Sequence, residues 1–355
     1  MEPRDLSAHV PYEAGRGIEE TARELGVSPE ELTKLSSNEN AWGPSPKAIV
    51  ALRESAATVH AYPKASHADL TAELADRFDV ADEQVWLANG GDGALDYLAR
   101  ALLDPGDAVL VSEPGFAYYG MSARFHHGRV HTYPLEKADG FAQTADRVLD
   151  SYDGERVVYV TSPHNPAGTE MPLAEVRALA DATDEGTLVV VDEAYAEFSE
   201  SPSAVRLVRE RDDVAVLRTF SKVYGLAGCR LGYALVPGEW GDAYARVNTP
   251  FAASELACRA GLAALDDEAH VSKAVEGARE AREYMYDNLN CRTFDSQGNF
   301  VLAEVGDGTR VFEAAKQEGV IVRDTSSFGL PECVRITCGT PAMTERAVKI
   351  INGVL

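Results

Sequence analysis

Residues 218–233, RTFSKVYGLAGCRLGY, form the segment from which the rest of the chain can be interpreted. A short apolar run at residues 214–217 precedes this segment and predicts a buried strand. The chain then reaches Thr219, Ser221 and Lys222 before it enters a glycine-rich stretch. The sequence therefore places two hydroxyl groups and a primary amine directly after a strand, at the point where the backbone turns.

The residue types in this segment suit a phosphorylated aldehyde. Thr219, Ser221 and Arg230 offer hydroxyl and guanidinium donors for a phosphate group. Lys222, one of eight lysines in a chain with twenty-five arginines, offers the amine for a Schiff base. The combination suggests pyridoxal phosphate as a cofactor. Taken alone, a Ser-Lys pair after a strand is more often a solvated turn, so the interpretation depends on the rest of the chain.

Composition places the chain among ordinary globular proteins. Its 355 residues, 45% of them apolar, predict two domains or one large α/β domain with an appendage. No apolar run approaches the length of a membrane span, and the first residues, MEPRDLSAHV, lack the layout of a signal peptide. The five cysteines are scattered without a C-x-x-C pair, which favours free thiols over disulfides or a metal site. We therefore expect a cytoplasmic protein without a bound metal.

Net charge is the unusual feature of the composition. The chain has 57 acidic and 33 basic residues, a formal net charge of −24. Such a surface repels nucleic acids and anionic membranes, and its self-repulsion destabilises the folded state at low salt. Molar salt shortens the Debye length to roughly 3 Å and removes most of this repulsion. We therefore expect a salt-adapted (halophilic) protein without nucleic-acid or membrane partners; a merely acidic enzyme from an ordinary cytoplasm is the alternative.

Alternating strands and helices predict the fold class. Apolar runs such as Val85–Ala88, Val157–Thr161 and residues 187–191 are separated by stretches with helical periodicity. This alternation predicts an α/β fold with a large, doubly wound and mostly parallel sheet. Ligands in such sheets bind beyond the carboxyl ends of the strands, so we expect functional residues directly after strands.

The pattern changes after residue 250, which indicates a domain boundary. A long helical stretch at 255–288 precedes short apolar runs and a final amphipathic helix, as expected for a smaller α+β domain. We therefore divide the chain into an N-terminal arm and loop (1–45), a large domain (46–250) and a small domain (251–355).

Several motifs near predicted strands supply groups that pyridoxal chemistry requires. Asp192, at the end of an apolar strand, is suited to pair with the pyridine nitrogen and keep it protonated. Asn165 and Tyr195 offer hydrogen bonds to the phenolic oxygen, and Phe116 offers an aromatic face for the ring. NGGDG, residues 89–93, lies between a strand and a helix predicted to begin at residue 94, a layout that directs backbone amides at an anion. Each motif alone has another interpretation: VVVDEA also resembles the metal-binding strand of phosphate-loop ATPases, Asn-Pro is common in turns, and Phe is common in cores.

Taken in order, NGGDG, SPHNPAGT, VVVDEAYAEF and TFSKVYGLAGCRLGY resemble the motifs of the fold-type I pyridoxal-phosphate aminotransferases. LSSNENAWGPSP, HAYPKAS and VRDTSSFGLPECVRITCGT narrow the resemblance to the histidinol-phosphate aminotransferases, over nearly the whole chain. The resemblance implies amino-group transfer between glutamate or 2-oxoglutarate and imidazole acetol phosphate or histidinol phosphate, in histidine biosynthesis. A threonine-phosphate decarboxylase of cobalamin synthesis and a broad or aromatic 2-oxo-acid aminotransferase are alternatives. A regulatory module that has lost catalysis is a further one, which the acidic charge disfavours because such modules bind DNA.

The resemblance also implies roles for residues around the cofactor. Lys222 corresponds to the Schiff-base lysine that moves a proton between substrate and cofactor. Asp192 corresponds to the pyridinium partner, and Tyr195 and Asn165 to the partners of the phenolic oxygen. The cofactor phosphate would be held by side-chain or backbone donors of Gly91, Asp92, Gly93, Thr219, Ser221 and Arg230.

Further residues are implied to bind substrate or to connect two subunits. Arg335 matches the arginine that holds the α-carboxylate of glutamate, and Arg323 matches a second arginine for the other anion of the substrate. Asn40 lies in the N-terminal loop that covers the substrate. Tyr62 corresponds to a tyrosine that reaches the cofactor phosphate of the other subunit, which implies a homodimer with shared active sites.

Overall fold

A computed structural model describes residues 6, 7, 9, 11 and 17–355 of the chain. Residues 1–5, 8, 10 and 12–16 of the predicted N-terminal arm (1–45) lie outside the described part. The strands are β1 (Thr33–Lys34), β2 (Val85–Ala88), β3 (Ala108–Glu113), β4 (Arg129–Pro134), β5 (Val157–Thr161), β6 (Leu188–Asp192), β7 (Val214–Thr219), β8 (Gly232–Leu235), β9 (Arg292–Phe294), β10 (Phe300–Glu304), β11 (Val320–Ile321), β12 (Arg323–Asp324) and β13 (Cys333–Thr337). The α-helices are α1 (Ile18–Leu25), α2 (Pro46–Ser55), α3 (Lys64–Phe78), α4 (Gly90–Leu102), α5 (Tyr118–Phe125), α6 (Ala145–Leu149), α7 (Leu173–Ala182), α8 (Val205–Val208), α9 (Gly241–Val247), α10 (Glu255–Leu265), α11 (Glu268–Asn288), α12 (Gly308–Gln317) and α13 (Pro341–Val354).

A seven-stranded sheet forms the larger part of the molecule, in the order β2-β8-β7-β6-β5-β3-β4. Only β8 runs antiparallel to its neighbours, so the predicted mostly parallel sheet is confirmed. Its central strands, β5 to β7, are rich in valine and fully buried. Alternate residues of these strands pack into two separate cores, one on each face of the sheet. Burial on both faces explains why the strands read as nearly continuous apolar runs.

The C-terminal part of the chain forms a four-stranded antiparallel sheet in the order β12-β13-β10-β9. Helices α11 to α13 pack together beside this sheet and contribute to the same core as the larger sheet. The N-terminal segment joins this part of the molecule, because β1 pairs in parallel with β11. The segment that follows β1 is thereby held over the carboxyl ends of the large sheet, where it reaches the cavity described below.

Two element predictions differ from the structure. The helix predicted to begin at residue 94 begins at Gly90, so NGGDG forms its first turn rather than a separate turn. Glycine disfavours helix, but here Gly90 lies against Arg230, and a Cβ at Gly90 would approach its guanidinium to 2.5 Å. The helical stretch at 255–288 is two helices, α10 and α11, because Asp267 caps the second by accepting a hydrogen bond from the amide of His270.

Three further observations concern the thiols, the helix lengths and the possible metal ligands of the described residues. All five cysteines are free thiols. No helix in the described part is long and apolar enough to cross a membrane. No cluster of three or more His, Cys, Asp or Glu side chains suited to a metal ion occurs in residues 17–355 or the few described before them.

Candidate active site

A cavity of about 270 Å³ opens at the carboxyl ends of β5, β6 and β7, between the large sheet and the C-terminal sheet. This is the position that the parallel-strand argument predicted for a ligand site. Twelve of the fifteen residues proposed from the sequence line it: Gly91, Asp92, Phe116, Asn165, Asp192, Tyr195, Thr219, Ser221, Lys222, Arg230, Arg323 and Arg335.

Asp192 ends β6 and presents a buried carboxylate to the cavity. The Tyr119 hydroxyl donates a hydrogen bond to Asp192 Oδ2 at 2.6 Å, and the Ala194 amide donates to Oδ1 at 3.0 Å. Burial raises the pKa of Asp192 to about 6, against the lowering effect of both hydrogen bonds and of the Lys222 charge. A cation placed against this carboxylate would therefore be strongly stabilised, as a protonated ring nitrogen would be.

The neighbouring Glu193 points to the opposite side, as expected from strand alternation. Its carboxylate pairs with Arg218 at 2.6 Å, and Arg218 also pairs with Glu197 at 3.0 Å. All three side chains are largely buried. This cluster ties the end of β6 to the end of β7, the two strands that carry Asp192 and Thr219.

A site suited to an anion, called the cradle below, lies where β7 meets the N-terminus of α4. The first-turn amides of a helix have no partners within the helix, and the helix dipole favours negative charge there. Beside them, Thr219 donates from Oγ1 to Ser221 Oγ at 3.0 Å, so both hydroxyls face the same point. Gly232 has no room for a side chain, because a Cβ there would lie 2.5 Å from the carbonyl carbon of Gly90. Close backbone approach thus builds the cradle.

Arg230 completes the cradle in an unusual conformation. Its φ of 51° lies in the left-handed region, which non-glycine residues seldom adopt and which recurs at functional sites. The guanidinium donates to Asp92 Oδ2 at 2.9 Å, and both side chains are nearly half exposed. Burial raises the pKa of Asp92, while Arg230 and Lys222 act in the opposite direction. The arginine is therefore held at the cradle by an ion pair.

Lys222 projects its amine into the cavity. Its Nζ donates to the carbonyl of Ser37 at 3.4 Å and lies 5.5 Å from the centre of the Tyr195 ring. The amine therefore stands between the N-terminal segment and the residue proposed to bind the phenolic oxygen. Phe116, on the loop before α5, packs edge to face against Tyr119 with ring centres 5.4 Å apart.

Two arginines from the C-terminal sheet line the opposite side of the cavity. Arg335 is buried and donates from Nη2 to the carbonyl of Ser36 at 2.8 Å and from Nη1 to Asn165 Oδ1. Arg323 is less buried; its Nη2 donates to Ser327 Oγ at 3.1 Å, and its guanidinium lies 5.7 Å from the ring centre of Phe328. The cavity thus has one buried and one more open guanidinium.

Three residues proposed from the sequence do not line this cavity. Gly93 lies on a shallower neighbouring groove beside Arg230. Asn40 uses its side chain in two contacts outside the cavity lining, donating to the carbonyl of Val223, next to Lys222, at 2.7 Å and accepting from the amide of Trp42 in its own loop at 2.9 Å. Tyr62 is 73% exposed and stacks on Phe251 at 4.6 Å. The roles proposed for these three residues stay predictions.

The structure also brings in residues that sequence reasoning missed. Tyr119 contacts Asp192 directly, and Asn38 donates to the Tyr195 hydroxyl at 3.0 Å. In the sequence, Asn38 is marked only by its place in the motif NEN, in which Asn40 is the residue predicted to cover the substrate. Nothing distinguished Tyr119 from its neighbour in the YY pair. Also new are the lining residues Ser36, Ser37, Glu39, Leu95, Thr161, Ala194, Leu217, Ala227 and Phe328.

The donor set fits pyridoxal phosphate group by group. The cradle suits the phosphate, the buried Asp192 suits the ring nitrogen, and Phe116 offers a flat apolar surface. Tyr195 and Asn165 supply polar groups, and Lys222 supplies the amine for the aldehyde.

Comparison with known proteins agrees with this geometry. Residues 30–351 match the model of the family described as aminotransferase class I and II. The chain is 70% identical to a histidinol-phosphate aminotransferase of Natronomonas pharaonis over all of both chains. It is 67% identical to one of Haloarcula marismortui, covering 100% of this chain and 99% of that one.

Solved structures give the same result. Histidinol-phosphate aminotransferase from Sinorhizobium meliloti, in complex with pyridoxal-5'-phosphate, superposes with a TM-score of 0.89 at 25% identity, over 99% of this chain and 96% of that chain. A single mutant of Thermus thermophilus aspartate aminotransferase superposes with a TM-score of 0.86 at 26% identity, over 100% of both chains. The predicted fold-type I architecture and cofactor are thus confirmed. The chain belongs to the class I and II aminotransferases and is a pyridoxal-phosphate-dependent transaminase.

Proposed function

We propose that this transaminase transfers an amino group between glutamate or 2-oxoglutarate and imidazole acetol phosphate or histidinol phosphate, in histidine biosynthesis. The observation that carries the proposal is the placement of two arginines in the cavity. Arg323 of β12 and Arg335 of β13 are directly opposite each other in the strand pair. Like charges at such positions repel each other, so anions bound beside them stabilise the arrangement.

The two guanidinium groups suit a pair of substrates that share anionic character but differ in shape. Arg335, fixed by Asn165 and the Ser36 carbonyl, suits the α-carboxylate of glutamate. Arg323, which is more open, suits the second anion of the substrate. The planar fork of a guanidinium binds carboxylate and phosphate alike, so one cavity can accept both substrates in turn. Relatives named histidinol-phosphate aminotransferase at 60–70% identity support this choice of substrate.

The residues around the reacting atoms have separate tasks. When bound, pyridoxal phosphate supplies an electron sink that acidifies the α-proton of the amino donor. We assign transfer of that proton to Lys222, whose amine projects into the cavity. Asp192, ionised beside a cation, would keep the ring nitrogen protonated. The cradle of Thr219, Ser221 and Arg230 would hold the phosphate end of the cofactor, so that Lys222 would move the proton at a defined position.

We further propose a homodimer with shared active sites. Tyr62 and Phe251 form an exposed aromatic pair outside the cavity of their own subunit, with 73% and 44% of their surfaces accessible. Large exposed aromatic side chains of this kind favour contact with another protein surface.

A cytoplasmic location is supported by the five free thiols. Adaptation to salt is supported by the net charge of −24 and by relatives from halophilic archaea.

The substrate proposal is tested by supplying histidinol phosphate and 2-oxoglutarate to the holoenzyme in molar salt and measuring glutamate. Arg323→Gln is expected to lower kcat/KM for histidinol phosphate by about 10- to 100-fold, because a hydrogen bond to a charged group contributes about 1.5–3 kcal/mol. Arg323→Lys, which keeps the charge, is the matched control and should lose less. Carbon dioxide release from a phosphorylated amino acid without glutamate formation would identify a decarboxylase instead. Equal turnover of aromatic amino acids would identify a broad aminotransferase.

A further inference from the structure

Asn38 occupies a buried position between the N-terminal segment, the C-terminal sheet and the cavity. Only 1% of its surface is exposed, and its φ of 53° lies in the left-handed region that asparagine tolerates better than most residues. Its amide group contacts Thr337 on one side and Tyr195 on the other. Its backbone carbonyl accepts from Asn299 Nδ2 at 3.1 Å.

The hydrogen bonds to Thr337 fix which side of the Asn38 amide is the oxygen. The backbone N–H of Asn38 can only donate, and it donates to Thr337 Oγ1 at 3.0 Å. The single proton of that hydroxyl is then directed to Asn38 Oδ1, 3.1 Å away. With the amide reversed, Thr337 would receive two donors and its own proton would be left buried without an acceptor, which costs free energy. The assignment that is often ambiguous for asparagine is therefore determined here.

The direction of the next hydrogen bond follows from this assignment. Because Oδ1 faces Thr337, Nδ2 faces Tyr195 and donates to its oxygen at 3.0 Å. An amide nitrogen cannot accept, so the proton of the Tyr195 hydroxyl is not used in this contact. Tyr195 and Asn38 both line the cavity, and the proton is free to point into it.

We propose that Asn38 is a positioning residue that makes Tyr195 a hydrogen-bond donor toward an anionic oxygen of the bound cofactor. The inference rests on the role proposed for Tyr195 at the phenolic oxygen. Donation by Asn38 polarises the Tyr195 hydroxyl and strengthens the hydrogen bond that it makes in turn. Thr337 has its effect through Asn38, and the same chain of contacts makes the orientation of Tyr195 depend on the docking of the N-terminal segment against β13.

The test uses a substitution that keeps the shape of the Asn38 side chain but reverses the direction of its hydrogen bond with Tyr195. Asn38→Asp keeps the shape and tolerates the left-handed backbone, but its carboxylate accepts a hydrogen bond from Tyr195 and draws the hydroxyl proton away from the cavity. A donated hydrogen bond stabilises the more negative form of the cofactor, so its loss raises the pH at which the bound cofactor loses a proton. We expect the midpoint of the absorbance change to rise by about half to one pH unit, and cofactor affinity to fall by about 2- to 10-fold.

Matched variants separate this role from simple loss of structure. Thr337→Val removes the contact that fixes the amide and should shift the midpoint in the same direction, whereas Thr337→Ser should restore the wild-type value. Asn299→Leu removes a buried hydrogen bond to the same residue without affecting the direction of the Tyr195 contact, so its midpoint should stay unchanged. If Asn38→Asp does not fold, Thr337→Val provides the same comparison.

Tyr195→Phe distinguishes the two ways in which the reasoning can fail. An unchanged midpoint in Tyr195→Phe would overturn both the proposed role of Tyr195 and the inference built on it. A raised midpoint in Tyr195→Phe together with wild-type midpoints in Asn38→Asp and Thr337→Val would leave the role of Tyr195 standing and overturn the role of Asn38. A shift in Asn299→Leu as large as that in Thr337→Val would show that Asn38 acts only through packing.

Discussion

Replacing Asp192 by asparagine is expected to stabilise the cofactor-free protein and to weaken the complex with cofactor. Burial raises the pKa of Asp192 from its ordinary value of 3.8 to about 6. A carboxyl group with a raised pKa in the folded state contributes stability below its unfolded pKa, and this contribution is lost as the pH rises through the folded pKa. The difference of roughly two pKa units corresponds to about 3 kcal/mol at 1.36 kcal/mol per unit. Asparagine has nearly the same shape and does not titrate.

Denaturant unfolding of the cofactor-free proteins between about pH 4 and pH 7.5, at constant molar salt, measures this effect. The other acidic groups titrate in both proteins, so they cancel in the difference between the variant and the wild type. The variant should match the wild type near pH 4 and exceed its unfolding free energy by about 3 kcal/mol at pH 7. With the cofactor bound the order should reverse, because asparagine offers no negative charge to the ring nitrogen.

Tyr119→Phe provides the companion measurement. Loss of the hydroxyl removes a hydrogen bond of 2.6 Å to the carboxylate, which raises the pKa of Asp192 further and widens the pH range over which stability falls. Tyr133→Phe is the control, since that buried hydroxyl donates to the carbonyl of Tyr159 at 3.0 Å rather than to Asp192. Equal stability of wild type and Asp192→Asn at neutral pH would refute the reasoning, because it would mean that the buried carboxylate carries no penalty.

Four further outcomes are expected. Lys222→Ala should bind the cofactor without a covalent link, so that dialysis removes the cofactor and chemical reduction cannot attach it to the protein. Near-normal turnover of this variant would show that Lys222 is not required for the reaction. Gly232→Ala should weaken cofactor binding by about 10-fold or more, since backbone must shift by an amount that typically costs 1–3 kcal/mol, whereas Gly228→Ala, where a Cβ would meet nothing within 4 Å, should be neutral in the same titration. Arg218→Met should lower the unfolding free energy by about 3–5 kcal/mol by leaving two buried carboxylates unpaired, and a loss below about 1 kcal/mol would contradict a buried ion cluster. The melting temperature should rise from low to molar salt because the charge of −24 is screened, and greater stability at low salt would count against salt adaptation.

The sequence predicted the position of a site residue correctly wherever that residue lies at the carboxyl end of a strand. Asp192 and Thr219 end β6 and β7, so periodicity alone placed their backbones at one edge of one sheet. The bounds predicted for β2 and β5 were likewise correct, because uninterrupted apolar runs determine these elements locally.

Partners that are distant along the chain could not be predicted in the same way. Tyr119 is 73 positions from Asp192, and Asn38 is 157 positions from Tyr195. Local periodicity gives the element that contains a residue, but not which distant side chain its polar group will meet. The start of α4 was missed for a related reason: two adjacent glycines indicate a turn by propensity, whereas the helix begins at Gly90, where a φ of 80° and the close approach of Arg230 both require glycine.

The salt adaptation that we propose and the recognition of anions place opposite demands on one chain, and the burial of Arg335 helps to meet both. At molar salt the Debye length of roughly 3 Å removes the attraction between an acidic surface and a distant cation. An exposed ion pair such as Arg230 and Asp92 therefore contributes little stabilisation until a bound phosphate displaces water from it. Arg335 and Asp192 are each only 5% exposed and act on a ligand at contact distance, where dissolved ions cannot intervene. The surface can therefore carry a large negative charge without repelling anionic substrates from the cavity, because salt screens the distant acidic groups whereas a contact with Arg335 is made inside the protein.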